Sequence, residues 1–190
     1  MAGDSPYQAF DSFRAPLQRA ISCVDREAHV WALIGSNGYS PGQEHTLVPN
    51  AGDPVWLRGR VELDLISRIS YRVSAAEGER GPWKIETLAY AHGLETPDAR
   101  EIIAYHWHPE RGSGITYPHL HLGAGLSADL GILEKAHIPT GRVALEDLLR
   151  FAILELGVEP QRDDWREVLT EAQGKFEEWR TWHGSGPDPS

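Results

Sequence analysis

The sequence predicts an α+β fold: an antiparallel β-meander of about four to five strands, with an N-terminal helix and two C-terminal helices packed on one face. Three observations predict it. The stretch "VELDLISRISYRVS" alternates apolar and polar residues with period two, the signature of a strand with one buried and one wet face. Further strand-like segments follow it after short turns, with no intervening helices of a βαβ type. The last fifty residues carry apolar stripes of helical spacing.

Taken in order, residues 1–6 are polar and read as a loose start. From Tyr7 to Ile34 the pattern is helical, with Leu17, Ile21 and Val24 at i, i+4, i+7 spacing, and Pro16 marks a break or a first-turn position. Residues 35–54, "GSNGYSPGQEHTLVPNAGDP", are rich in Gly, Pro, Asn and Ser and read as a long connector. In the strand that follows, Val61, Leu63, Leu65, Ile69, Tyr71 and Val73 share one face, while Glu62, Asp64, Arg68, Ser70 and Arg72 share the other. "WKIETLAYAH", "EIIAYHWH" and "TYPHLHLG" supply the next three strands. After the turn-rich "SADLGILEKAHIPTGR", Leu145, Leu148, Leu149, Ala152, Ile153 and Leu156 form a helical stripe closed by Gly157 and Pro160. A final helix, capped at Asp163 or Asp164, aligns Trp165, Val168, Leu169, Ala172, Phe176 and Trp179. No internal repeat is present, so residues 1–183 read as a single α+β domain and 184–190 as a flexible tail.

Composition narrows the function classes. An apolar fraction of 41% with seven Trp suffices for an ordinary core. The net charge of -10 argues against broad, non-specific binding to phosphate backbones, while leaving room for a local basic pocket. Only three of the 18 basic residues are Lys, a bias that a GC-rich genome also produces. No apolar run approaches the length of a membrane span, and "MAGDSPYQAF" lacks the features of a secretory leader. With Cys23 alone, no intramolecular disulfide can form. A cytoplasmic protein without membrane association is the expectation.

Chemistry concentrates in "AYHWHPERGSGITYPHLHLGAG", residues 104–125, which holds two H-x-H pairs. Alternation places His106 and His108 on one face of their strand, opposite Tyr105 and Trp107. His119 and His121 likewise oppose Leu120 and Leu122. Pairing the two strands so that the apolar residues share a face collects all four histidines on the other; a one-residue slip would bury imidazoles among aromatics.

Three readings fit that face. His106, His108, His119 and His121 could ligate a divalent metal such as zinc. The spacing departs from the cupin-type pattern, because only the adjacent Glu110 follows His108 and no acid follows His121 until Asp129; Asp64 and Glu62 could supply one from a neighbouring strand. Alternatively, the histidines could act as catalytic acid and base on a phosphodiester, with Arg68 and Arg72 binding the phosphate. "PHLHLG" does not complete the motif of histidine-triad nucleotide hydrolases, whose third His would fall on Gly123. The third reading is a non-catalytic surface that binds a ligand or protein, or merely faces solvent. His29, His45 and His183 lie in less regular contexts and read as incidental. His137, in "AHIPTGR" with Thr140 and Arg142, stands on a loop that could close over the sheet or simply lead to the next helix; Arg142 is a third candidate for substrate binding.

The order of the long "VELDLISRISYRV" strand, a Tyr-containing strand, "TYPHLHLG" and "ALEDLLRFAIL" resembles the small TumE-type toxins of bacterial toxin-antitoxin pairs. Their aromatic-Pro-His-x-x-His signature is met by Tyr117, Pro118 and His119, while the second His arrives one position early, at His121. The likeness covers roughly residues 60 to 155. It implies a nucleic-acid- or nucleotide-directed toxin, neutralised by a small antitoxin-like partner.

Overall fold

The computed structural model describes residues 1–33, 40–76, 81–109, 115–123 and 136–179. The expected tail, 184–190, lies outside them. Nine described strands form one antiparallel sheet, in the order β2 (Val30–Leu33), β3 (Glu44–Pro49), β5 (Leu63–Ala75), β6 (Trp83–Glu95), β7 (Glu101–Trp107), β8 (His119–Leu122) and β9 (Ile138–Pro139). Two short strands lie off this path. β1 (Ala2–Gly3) pairs with the start of β6, and β4 (Val55–Leu57) pairs with the start of β5. Helices α1 (Pro6–Ile21), α2 (Leu145–Leu154) and α3 (Trp165–Trp179) close the core on one side. The class is therefore α+β as expected, with more strands than the four to five that periodicity indicates.

The additional strands come from segments with weak local signals. "EHTLVP" sits in the Gly/Pro-rich connector, yet it is β3, because Leu47 pairs with Ile69 and is buried against the helices. Helical periodicity runs past Ile21 in the sequence, but the chain turns there and returns as β2, whose "VWAL" suits a strand. Residues 1–6 are likewise ordered by contacts: β1 pairs with β6, and the Ser5 hydroxyl accepts the Gln8 N–H to cap α1. Pro16 does not break α1. It removes one helical hydrogen bond, but its ring is buried on the face that carries Phe13, Leu17 and Ala20.

The long β5 strand places Leu63, Leu65, Ile69, Tyr71 and Val73 in the core, as alternation predicts. On β6 the register shifts beside Ser70 and Tyr71: Ser70 opposes Ala89, whereas Tyr71 opposes Thr87. The extra residue, Leu88, resets the alternation. Trp83 and Ile85 before it and Tyr90, His92 and Leu94 after it can then all face the helices. Between the bulge and the end of the strand, the outer face of β6 is left with Ala89, Ala91 and Gly93, with Lys84 and Glu86 before them and Glu95 after. Across the two C-terminal helices, Leu148, Leu149, Ala152, Val168 and Leu169 interlock in the core. Burial of such side chains contributes about 1.5–3 kcal/mol each. No helix among the described residues is long and apolar enough to cross a membrane.

Candidate metal centre

The β7–β8 register puts His106 directly opposite His119 and Ala104 opposite His121. Tyr105 opposes Leu120, and Ile103 opposes Leu122, toward the helices. All four strand histidines therefore share the outer face. Their ring centroids lie close: 4.7 Å for His106–His121, 4.9 Å for His119–His121, 5.3 Å for His108–His119 and 5.8 Å for His106–His119.

A fifth histidine joins them. The chain returns along β8 as β9, and His137 just before it brings its ring to 4.6 Å from His121 and 5.2 Å from His119. Sequence spacing could not assign His137 to the site, since the return of its loop to the β8 edge is a tertiary event. The one available signal was its place in a short segment preceding a proline.

His119 organises the cluster. It is fully buried, and its Nδ1 lies 2.9 Å from the Tyr117 carbonyl oxygen. A carbonyl only accepts, so Nδ1 carries the proton and Nε2 carries the lone pair. That Nε2 is buried and has no hydrogen-bond partner among the described residues, a condition that costs about 1–3 kcal/mol. One ring nitrogen each from His106, His119 and His121 lie within 4.8 Å of one another. A tetrahedral zinc site with Zn–N of about 2.1 Å holds its nitrogens about 3.4 Å apart, so modest side-chain rotation closes the gap. The backbone carbonyl on Nδ1 is the kind of outer contact that orients a ligating imidazole.

Burial and mutual repulsion favour the neutral forms of His106, His119 and His121. The pKa of His106 is pushed down to about 4, first by burial and then by His121, His119, His108 and His137. His119 and His121 are also lowered, chiefly by burial and by the imidazoles around them. Neutral imidazole is the metal-ligating form. It is also a poor source of the imidazolium that a metal-free general acid requires.

The predicted arginines separate. Arg68 is exposed on the outer face, in a continuous cross-strand row with Ala91, His106 and His119. Two strand spacings put its backbone about 10 Å from that of His106, across the small side chain of Ala91. Arg72 is on the same face but opposes both Glu44 and Glu86. Arg142 is not brought to the histidines. Its guanidinium lies 3.4 Å from the Trp107 ring centroid, on the helix side of the sheet. Trp107 and the aromatic-lined core draw the segment after β9 to that side, where Val143 donates its N–H to the Tyr90 hydroxyl. Asp64 opposes Glu95, outside the cluster, and Glu110 and Asp129 lie outside the described residues. Gly123 ends β8 where a Cβ would collide with the Glu101 carbonyl, so the position has no room for a third alternating histidine.

Of the other histidines, His45 and His92 are both buried. His45 Nε2 donates to the Ser40 carbonyl, and His92 pairs with Ser67 on the helix side. His92 is the last residue of "WKIETLAYAH", and no local signal there marks it as buried. Comparison with family models, with curated proteins and with solved structures finds no match to this chain.

Proposed function

We propose that His106, His119 and His121 bind a divalent transition metal and that the protein is a metal-dependent enzyme acting on a phosphate-containing substrate, a nucleotide or nucleic acid. One observation carries the reading: the buried Nε2 of His119, its tautomer set by the Tyr117 carbonyl, has no hydrogen-bond partner among the described residues and stands with two further imidazole nitrogens within 4.8 Å. Three nitrogen ligands leave a coordination position open, the arrangement of catalytic rather than structural zinc. A metal there would lower the pKa of a bound water to about 7 and supply hydroxide for attack on phosphorus.

Arg68 supports the choice of a phosphate. The outer-face rows Arg68–Ala91–His106–His119 and Ile66–Gly93–Ala104–His121 contain no carboxylate. An anion can therefore bridge the guanidinium and the metal despite the overall charge of -10. His108 and His137 flank the triad, with ring contacts to His106, His119 and His121.

The test is metal analysis together with hydrolysis of bis-p-nitrophenyl phosphate. About one equivalent of metal, with activity lost in His119→Ala and reduced in Arg68→Ala, is the expected result. Protein that is folded but takes up no zinc, manganese or iron refutes the proposal. The toxin reading rests on the same residues: growth arrest on expression is expected for the intact chain and abolished by His106→Ala or His119→Ala.

A second reading, a partner-binding surface, is favoured by large apolar side chains exposed on the outer face, Trp31 at 53% and Leu33 at 41%. An antitoxin-like protein is the partner class it accommodates. Binding lost in Trp31→Ala but retained in His119→Ala would select it.

A further inference from the structure

A separate site lies on the helix side of the sheet, behind the histidines. The fold leaves a cavity of about 330 Å³ there, with apolar walls from Phe13 and Leu17 of α1, Ile69 of β5 and Phe176 of α3. Packed interiors hold few voids larger than a water molecule. An apolar cavity of about 150 Å³ already takes benzene, so this one has room for two fused rings.

The charged and ionisable groups of the lining have partners within the chain. Lys84 and Glu86 pair with each other at 2.8 Å. The Tyr90 hydroxyl accepts the Val143 N–H, the Glu146 carboxyl accepts its own backbone N–H, and the Arg142 guanidinium lies over the Trp107 ring. The cavity therefore asks no charge of an occupant. His92 differs from these groups. It is 2% exposed, stacks on Tyr90 with ring centroids 4.9 Å apart, and borders the cavity. Its Nδ1 lies 2.9 Å from the Ser67 hydroxyl, which leaves Nε2 without a hydrogen-bond partner among the described residues. Burial, with a smaller contribution from His106, holds the ring neutral and pushes its pKa down to about 3.

We propose that this cavity binds a neutral aromatic molecule of two fused rings that carries one hydroxyl group. The rings fill the space among Phe13, Leu17, Ile69 and Phe176, and the hydroxyl bonds to the Nε2 of His92. A hydroxyl both donates and accepts, so it satisfies that nitrogen in either tautomer. A hydrocarbon would leave a buried polar atom unpaired, which is costly. An anion would have to give up its hydration without an unpaired cation to receive it. The Thr87 hydroxyl adds a further neutral polar group to the lining.

Equilibrium dialysis of the full chain tests this with 2-naphthol, naphthalene, which lacks the hydroxyl, and 2-naphthoate, which carries a charge. 2-Naphthol is expected to bind with a Kd below about 0.1 mM. Naphthalene should be weaker by about threefold to tenfold, and 2-naphthoate by about tenfold or more. His92→Phe keeps an aromatic ring on Tyr90 and should bring 2-naphthol down to the affinity of naphthalene. Chelator-treated protein should bind 2-naphthol identically; binding lost on chelation would place the hydroxyl on the metal and overturn the assignment. The proposal is also overturned if 2-naphthol does not bind by about 1 mM, or if naphthalene or 2-naphthoate binds as tightly. The probe series uses the unmutated chain, so a poorly folding His92→Phe does not leave the question open.

Discussion

Replacing Glu146 by Gln removes an ionisable group from the wall of a cavity on the helix side of the sheet, which Leu17, Ile69, Tyr90 and His92 also line, while conserving the shape of the side chain. Burial is the main cause that raises the Glu146 pKa, from the usual 4.5 to about 7; the neighbouring Asp147 adds to it, and Arg150 opposes it. Between those two pH values the folded chain holds a proton that the unfolded chain has released. Its stabilising effect is therefore fully present below about pH 4.5 and is lost as pH rises through 7. At pH 8 and above, ionising this buried carboxyl costs the folded state about 3 kcal/mol. Glu146→Gln should thus gain about 3 kcal/mol over the unmutated chain between pH 5 and pH 9. For a chain of this size that is a difference of roughly 6–12 °C in Tm. Urea denaturation of both proteins across that range measures it, and subtracting the two curves cancels the contributions of His92, His106 and every other titrating group. Parallel curves, differing by a constant within about 0.5 kcal/mol, would refute the burial of an ionisable carboxyl at this site.

The remaining predictions concern the metal centre and the core. Because His106 stays neutral down to about pH 4, zinc retention in equilibrium dialysis should be flat from pH 8 to about 6 and fall only below about pH 5. Loss centred near pH 6.5 would mean that the imidazoles titrate like exposed ones. Burial pushes the Cys23 thiol up to about 11, so the native chain should react with Ellman's reagent at pH 8 only as fast as it opens. Stoichiometric labelling within seconds would contradict this. Gly123→Ala drives a Cβ into the Glu101 carbonyl and should cost about 1–3 kcal/mol. It should also weaken metal binding, because β8 must shift and carries His119 and His121. An unchanged Tm would show that β8 yields there at no cost.

Period-two alternation accounts for most of what the sequence revealed about the site. "HWH" and "HLH" each place two imidazoles on one side of a strand, and the aromatic and leucine residues between them select the pairing. That pairing is the one in which His106 faces His119. The same rule located the buried face of β5 and the outward position of Arg68, because a strand side chain has only two directions to take. The stripes of α2 and α3 were equally legible, since their apolar residues recur along one helical side.

Other features depend on contacts distant in sequence. "EHTLVP" becomes a strand only because β5 offers an unpaired edge, and Pro16 stays within α1 because its ring is buried. Leu88 bulges to turn both halves of β6 toward the helices, which directs His92 and Tyr90 into the cavity. His137 and Arg142 stand five residues apart, yet they reach opposite faces of the sheet as the chain passes its edge beside β8. The sequence by itself determined the α+β class and the shared face of His106, His108, His119 and His121, because side-chain alternation is a local property of extended backbone. Only the tertiary structure decided that His137 joins them, that the His119 Nε2 is buried without a partner among the described residues, and that Glu146 is buried in the first turn of α2. Those outcomes follow from how edges, loops and helices close over the sheet.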